Sequence, residues 1–347
     1  MNWNLLQALS NADAVASNET AVRTLLKEAL ADYADTFTYD GLGSLMVTKA
    51  ATEPDRPTIM FAAHMDEVGF MIRNLSAIGF AYLQPLGNVE DRAKSMQLVR
   101  AHTQAGQVVE GLLNITRDAS GQVADMYVDF GFDSREALLA AGLEIGDVVC
   151  FASDYRELSA ANLAAGKAMD DRAGCFALVQ AMKALKDVPL AVNVVAAFTS
   201  SEEVGTRGGR TTTALVAPDV FFAIDVAKHP ELDRGFTDHR VLGAGPMFEF
   251  YDKTMVPNRA LLTQVQAIAQ AANLPYQKDM FKGGGTDAGT AHLEHGGTAA
   301  MVIGLPLRYC HDPYSFVNKQ DVVTTATLIE QIARQLDAKA ITKCYQF

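Results

Sequence analysis

Cysteine is scarce: Cys150, Cys175, Cys310 and Cys344 are the only four in 347 residues, and none forms a CxxC pair. That scatter argues against a disulfide framework and for free thiols in a reducing compartment. No apolar run approaches the roughly 20 residues that span a bilayer. The start, MNWNLLQALSNADAV, lacks a basic stretch followed by an apolar block and does not read as a secretory signal, so the expected address is cytoplasmic. Only 11 prolines and no low-complexity tract occur, with 49% hydrophobic and 20% charged residues, which excludes a disordered chain. Positive charge is also outnumbered, 29 Lys and Arg against 41 Asp and Glu. A net charge of -12 excludes non-specific binding to nucleic acid or an anionic membrane, and is compatible with divalent cations as partners.

The length suits one large α/β domain or two unequal ones. Residues 18–34 carry Val22, Leu25, Leu26 and Leu30 at helical spacing, with Asn18 as a candidate N-cap. The unbroken apolar core Ile59 to Ala63 reads as a strand covered on both faces. Between residues 66 and 160 the texture changes to short alternating pieces such as GFAYLQPLG, QVVEGLLNIT and GDVVCFAS, the pattern of a small barrel or sandwich. Beyond it, MDDRAGCFALVQAMKAL reads as a helix, while VPLAVNVVAAFTSSEE, DVFFAIDVA and TAAMVIG read as buried strands, with further helices near 257–273 and 318–338. The expected architecture is an α/β fold with a mostly parallel open sheet and flanking helices. Residues 1–65 and 161–347 build it, and an inserted β-rich domain, 66–160, interrupts it.

Ligands of open α/β sheets bind at the carboxyl ends of the strands, so polar residues that follow apolar strands are candidates for chemistry. Three places qualify: His64 and Asp66 in IMFAAHMDE, Glu202 and Glu203 in FTSSEEVGTRGG, and Asp225 in FFAIDVA. GKAMDDRAG adds Asp170 and Asp171 at a helix start, where capping alone would also explain them. LPLRYCHDPYS adds His311. Imidazole and carboxylate converging on one sheet edge suit zinc, cobalt or manganese better than calcium. The glycine loop GGGTDAG reads as a turn into a helix near Thr286, close to the substrate, and lacks the ending of a P-loop. His292 and His295 lack HExxH spacing and read as surface residues. Lys228, His229 and Arg308 are candidates for binding a substrate carboxylate or carbonyl, and Cys310 reads as packing.

The ordered set AAHMDEVGF, GKAMDDRAG, TSSEEVGTRGG, AIDVA, GGGTDAG and RYCHDP resembles the di-metal glutamyl aminopeptidases, the tetrahedral (TET) family of co-catalytic zinc exopeptidases. The resemblance implies two divalent metals per subunit, Zn2+ first and Co2+ or Mn2+ as alternatives. His64, Asp170 and Asp225 would hold one, Glu203, His311 and the shared Asp170 the other. It further implies Glu202 as general base and Asp66 as acceptor of a hydrogen bond from the His64 ring. The implied reaction is removal of N-terminal residues from peptides with a free N-terminus, through a hydroxide shared by the metals. The implied assembly is a homo-oligomer, a tetrahedral dodecamer built partly through the inserted domain. Ser201 stands where the family usually has glutamine before the Glu pair.

Two other readings compete. A deacetylase or amidohydrolase of the same clan would keep the metals and cleave N-acylated compounds. A glycosidase needs two carboxylates facing one bond, whereas adjacent Glu202 and Glu203 on an extended chain would point to opposite faces.

Overall fold

The computed structural model describes residues 1–159, 162–228 and 239–347. Four parallel strands form its centre, in the order Asn193–Thr199, Thr58–His64, Val220–Lys228 and Ala299–Arg308. Their side chains alternate between two apolar layers. Ile59, Phe61 and Ala63 enter the larger core, and Met60 and Ala62 enter a smaller one on the opposite face. Both faces are covered, which is why the sequence of this strand is continuously apolar. Phe61 stacks on Phe222 at 4.7 Å across neighbouring strands; burying each ring contributes about 1.5–3 kcal/mol.

Toward its edges the sheet turns antiparallel, through Leu45–Lys49 and Thr36–Tyr39 on one side and Ser315–Asn318, Leu163–Gly166 and Arg156–Glu157 on the other. Thr36–Tyr39 and Leu45–Lys49, and likewise Arg156–Glu157 and Leu163–Gly166, are joined by short connections, which antiparallel pairing permits. The helices Met169–Ala184 and Lys319–Gln335 pack against each other and against the larger core. The amphipathic helix expected from residues 18–34 spans Thr20–Leu30, after the shorter helix Asn4–Asn11, and is preceded by Glu19 rather than capped by Asn18. Among the described residues no helix is long and apolar enough to cross a membrane.

Six antiparallel strands between Gly69 and Phe151 close into a barrel. It has a separate apolar core, with Phe70 and Phe151 in edge-to-face contact at 5.6 Å. The barrel leaves the sheet just after His64 and is tied back by a buried ionic network. Lys167, fully buried, donates to Glu67 at 2.6 and 2.9 Å and pairs with Asp13 at 2.9 Å. Asp13 also accepts from Arg100 at 2.9 Å and pairs with His102 at 2.7 Å, both on one barrel strand. Buried Arg172 donates to the carbonyls of Leu9, Ala12 and Ala14. The network fixes the start of the helix that carries Asp170 against the segment that follows His64.

Candidate metal centre

His64 ends one central strand and Asp225 lies in its neighbour. Ala62 faces Ala223 in register, so the imidazole and the carboxylate stand level at the sheet's carboxyl edge. Thr199 pairs with His64 on the other side. Beyond Thr199 the chain leaves the sheet, and Ser201 takes a left-handed φ of +61°. Glu202 and Glu203 therefore occupy a loop, not an extended strand. Strand alternation does not separate them, contrary to the sequence-based expectation. Both line one cavity of about 470 Å³, together with His64, Asp170, Asp225 and His311.

The loop is held by carboxylates that point away from the cavity. Asp66, fully buried, accepts hydrogen bonds from the Glu202 and Glu203 amides at 3.0 and 3.1 Å. Glu19 accepts from the Ser200 hydroxyl at 2.6 Å and the Ser201 amide at 3.2 Å. Asp287, in the glycine-loop motif, accepts from the Thr199 hydroxyl at 2.6 Å and the Gly209 amide at 2.9 Å. The resemblance implied that Asp66 accepts a hydrogen bond from the His64 ring. The atom at hydrogen-bond distance is the Asp66 backbone carbonyl, to which His64 Nδ1 donates at 3.0 Å, while the carboxylate is 3.6 Å away. A carbonyl can only accept, so Nδ1 carries a proton, and Nε2 is the nitrogen that faces Asp170 and the cavity.

Asp170 and Asp171 open their helix with non-helical backbone angles. Asp171 accepts from the Gly174 amide at 3.1 Å, capping the first true turn. A Cβ at Gly174 would stand 2.3 Å from that carboxylate, so the cap requires glycine. Asp170 is thereby left to face the cavity. Its Oδ1 lies 3.0 Å from His64 Nε2 and its Oδ2 3.2 Å from His311 Nε2. Glu203 Oε2 lies 3.4 Å from the same His311 nitrogen, while its buried Oε1 has no hydrogen-bond donor among the described residues. Left-handed residues cluster at this edge: Ala168, Ser201, Thr206, Tyr309 and His311 all have φ between +48° and +61°. Each costs on the order of 1–2 kcal/mol.

Negative charge exceeds positive here, and the proton affinities register it. Burial, then the charges of Asp225, Glu203 and Asp287, push Glu202 well above the usual carboxyl range in spite of His64. Burial and Asp170 push Glu203 to about 7, against the pull of His311, and Asp225 to about 8, against that of His64. Burial also opposes charge on His64, yet its hydrogen bonds to Asp170 and Asp66 and the charge of Glu202 hold its pKa well above the ordinary value. For Asp170 burial is outweighed by the hydrogen bonds from His311 and His64, which hold it far below the usual range.

The glycine loop forms the facing wall, with Gly283, Gly284, Gly285 and Thr286 lining the cavity and Thr286 capping the short helix Asp287–Ala291. Lys228 reaches the rim and is ion-paired with Glu90. Arg308 does not line the cavity, and His229 lies outside the described residues. His292 and His295 bond to the carbonyls of Ala288 and Thr213, away from it. Sequence reasoning missed the supporting acids Glu19 and Asp287 and the barrel's share of the rim. Asn88 lines the cavity, and Arg92 makes a multiply hydrogen-bonded ion pair with Asp312, next to His311.

One buried and one half-buried imidazole, a carboxylate with an oxygen toward each, and an acceptor without a donor among the described residues form a donor set that fits divalent transition ions. At the carboxyl edge of an α/β sheet, beside a cavity of this size, they define a metal-dependent hydrolase.

The chain belongs to the M42 glutamyl aminopeptidase family, whose model matches residues 43–328. It is 30% identical to the glutamyl aminopeptidase of Lactococcus lactis subsp. cremoris over 351 residues, 98% of each chain. Among solved structures it is similar to the TET aminopeptidase of a marine sediment archaeon, Thaumarchaeota archaeon SCGC AB-539-E09. That match has a TM-score of 0.93 and 30% identity over 98% of this chain and 99% of the other. The TET1 peptidase of Pyrococcus horikoshii, described as able to assemble into a tetrahedron or a large octahedral shell, superposes with a TM-score of 0.86. It is 27% identical over 96% and 99% of the two chains. The protein is a metal-dependent aminopeptidase, a peptide hydrolase.

Proposed function

We propose that His64, Asp170, Glu203, Asp225 and His311 hold two divalent ions, most simply Zn2+, with Asp170 as the shared ligand and Glu202 as the general base. The observation that carries this reading is the Asp170 carboxylate, with one oxygen beside His64 and the other beside His311. When bound, such a pair of ions supplies Lewis acidity, lowering the pKa of water and polarising the scissile carbonyl. Glu202 lies in the cavity wall with its backbone fixed by Asp66, and burial raises its carboxyl pKa, which cations bound beside it would lower again toward the carboxylate that a base must be. It takes a proton from the attacking water and passes it to the departing amine, a transfer for which a raised carboxyl pKa is suited. Asp66 acts by position, orienting His64 through its carbonyl and the Glu pair through its carboxylate.

The substrates are peptides with a free N-terminus. An acid-rich floor favours an ammonium end over an acylated one, which separates this reading from the deacetylase alternative. A homo-oligomer of the tetrahedral kind fits the barrel surface, where Leu98 and Leu112 pair in register and remain 47% and 43% exposed beside Met96 at 65%. A cytoplasmic address agrees with the four unpaired thiols.

Chelator treatment of the purified chain should abolish cleavage of aminoacyl-arylamides, and Zn2+ or Co2+ should restore it with two ions per chain by elemental analysis. Full activity with one ion or none would overturn the di-metal reading. An N-acetylated peptide should remain uncut, and light scattering should report a mass far above one subunit.

A further inference from the structure

Cys310 reads from the sequence as packing, but its side chain lines the catalytic cavity. The thiol donates to Asp170 Oδ2 at 3.0 Å. Tyr309 and His311, on either side of it, are both left-handed, and the adjacent side chains 310 and 311 reach the same carboxylate oxygen. The sulfur, an Asp170 oxygen and a His311 ring nitrogen all lie within 4.8 Å of one another. Atoms that share one Zn2+ at about 2.0–2.3 Å lie no more than about 4.6 Å apart, so these three are close to the spacing that one ion requires.

An independent observation points to the same place. The Glu203 side chain is 6% exposed and holds Oε2 3.4 Å from His311 Nε2, while its buried Oε1 has no donor among the described residues. An acceptor left bare at that depth calls for a cation, and the His311 ring beside Glu203 belongs to the same tight group of ligand atoms as the Cys310 sulfur.

We propose that Cys310 is itself a metal ligand, its thiolate joining Asp170, Glu203 and His311 on the ion nearer His311. The proposal rests on the five-residue reading above and adds a soft donor to one of its two positions. On binding, the thiol proton passes to solvent, and coordination replaces the S–H···Oδ2 hydrogen bond. Thiolate favours Zn2+, whereas carboxylate and carbonyl oxygen suit Mn2+. The position at His311 is then the zinc-selective one, and the position at His64 and Asp225 the more permissive. Cys175 bonds to the His64 carbonyl at 3.2 Å, and neither it nor Cys150 nor Cys344 lines the cavity. Cys150 belongs to a second cluster of ligand-type atoms, with Asp13 and Glu67, but Lys167 already pairs with both acids, so a thiolate–metal signal that disappears in the Cys310 variants comes from the cavity.

The test loads the full chain with Co2+ and records its absorption. The wild type should show visible ligand-field bands and a near-ultraviolet thiolate-to-cobalt charge-transfer band. Cys310→Ala and Cys310→Ser should both lose the near-ultraviolet band and keep the visible ones. In competition, their preference for Zn2+ over Mn2+ at the second position should fall by about tenfold or more, at least the cost of losing a supporting partner. A hydroxyl can replace the thiol as a donor to Asp170 but is a poor ligand. If Cys310→Ser keeps the wild-type zinc preference, or the wild type shows visible bands without the near-ultraviolet one, Cys310 only positions Asp170 and the proposal fails. Absence of any visible band would instead sink the five-residue reading, and this inference with it.

Discussion

Asp13 and Glu67 lie about as deep as the acids of the metal centre, and with Cys150 they form a similarly tight cluster of potential ligand atoms. They differ in what meets them. The Lys167 ammonium already sits at hydrogen-bond distance from Glu67 and at ion-pair distance from Asp13, with Arg100, Arg172 and His102 around it. In the metal centre the counter-charges at bonding distance are two imidazoles, and one Glu203 oxygen has no donor among the described residues. Proximity of acids alone does not identify a metal site. The distinguishing feature is negative charge that the chain's own cations leave unmet. A third case is Glu249, 1% exposed, whose two oxygens have no donor among the described residues. Burial, then Asp252 and Asp225, push its pKa to about 10, so a proton neutralises it. Ammonium, metal and proton are three answers to the same buried carboxylate.

The contrast can be broken at each site. Glu202→Gln keeps the shape and the ligands but removes the base. It should lower kcat by about 10²- to 10⁴-fold with metal content unchanged by elemental analysis; an equal loss of metal would make Glu202 a ligand instead. Lys167→Met leaves two buried acids without their ammonium and should cost about 3–5 kcal/mol in denaturant unfolding. Glu203→Gln should do the opposite to the metal-free protein, because it removes a like charge, leaving stability unchanged or raised while metal affinity falls. Equal destabilisation by these two variants would erase the distinction.

Glu249→Gln sharpens the third case through pH. The fold holds this proton up to about pH 10, whereas an unfolded chain releases it near 4.5. Ionisation thus favours the unfolded chain throughout that window, and wild-type stability falls with rising pH by up to about 1.4 kcal/mol per unit from this group. The variant should match the wild type near pH 4.5 and exceed it increasingly toward pH 8 in thermal unfolding. The smallest effect is expected from Arg92→Ala, which removes the rim ion pair to Asp312. With Arg92 48% exposed, stability should change by less than about 1 kcal/mol. A loss of kcat/KM beyond tenfold would show that the barrel helps to orient His311.

Much of the site is legible in the sequence because it follows local rules. His64, Asp225 and the Glu pair follow apolar runs, and an open sheet puts such residues at one edge. Asp170 and Asp171 stand before a helix, and the structure turns one toward His64 and His311 and makes the other the cap. The supporting residues are another matter. Glu19 lies 181 positions from the Ser200 hydroxyl it binds, and Asp287 lies 88 from Thr199. No periodicity links such pairs. The same is true of Arg92 and Asp312, 220 positions apart, which bring the barrel to the rim.

The sequence by itself determined the α/β class, the interrupting run of short strands and the list of residues able to bind metal, since each depends on neighbours within a few positions. Tertiary structure decided which acids are met by lysine and which face imidazoles alone, that Glu202 and Glu203 turn into one cavity through a left-handed Ser201, and that Cys310 joins His311 on the Asp170 carboxylate. Those outcomes depend on backbone angles at single residues and on contacts between segments far apart in the chain, and local sequence pattern carries neither.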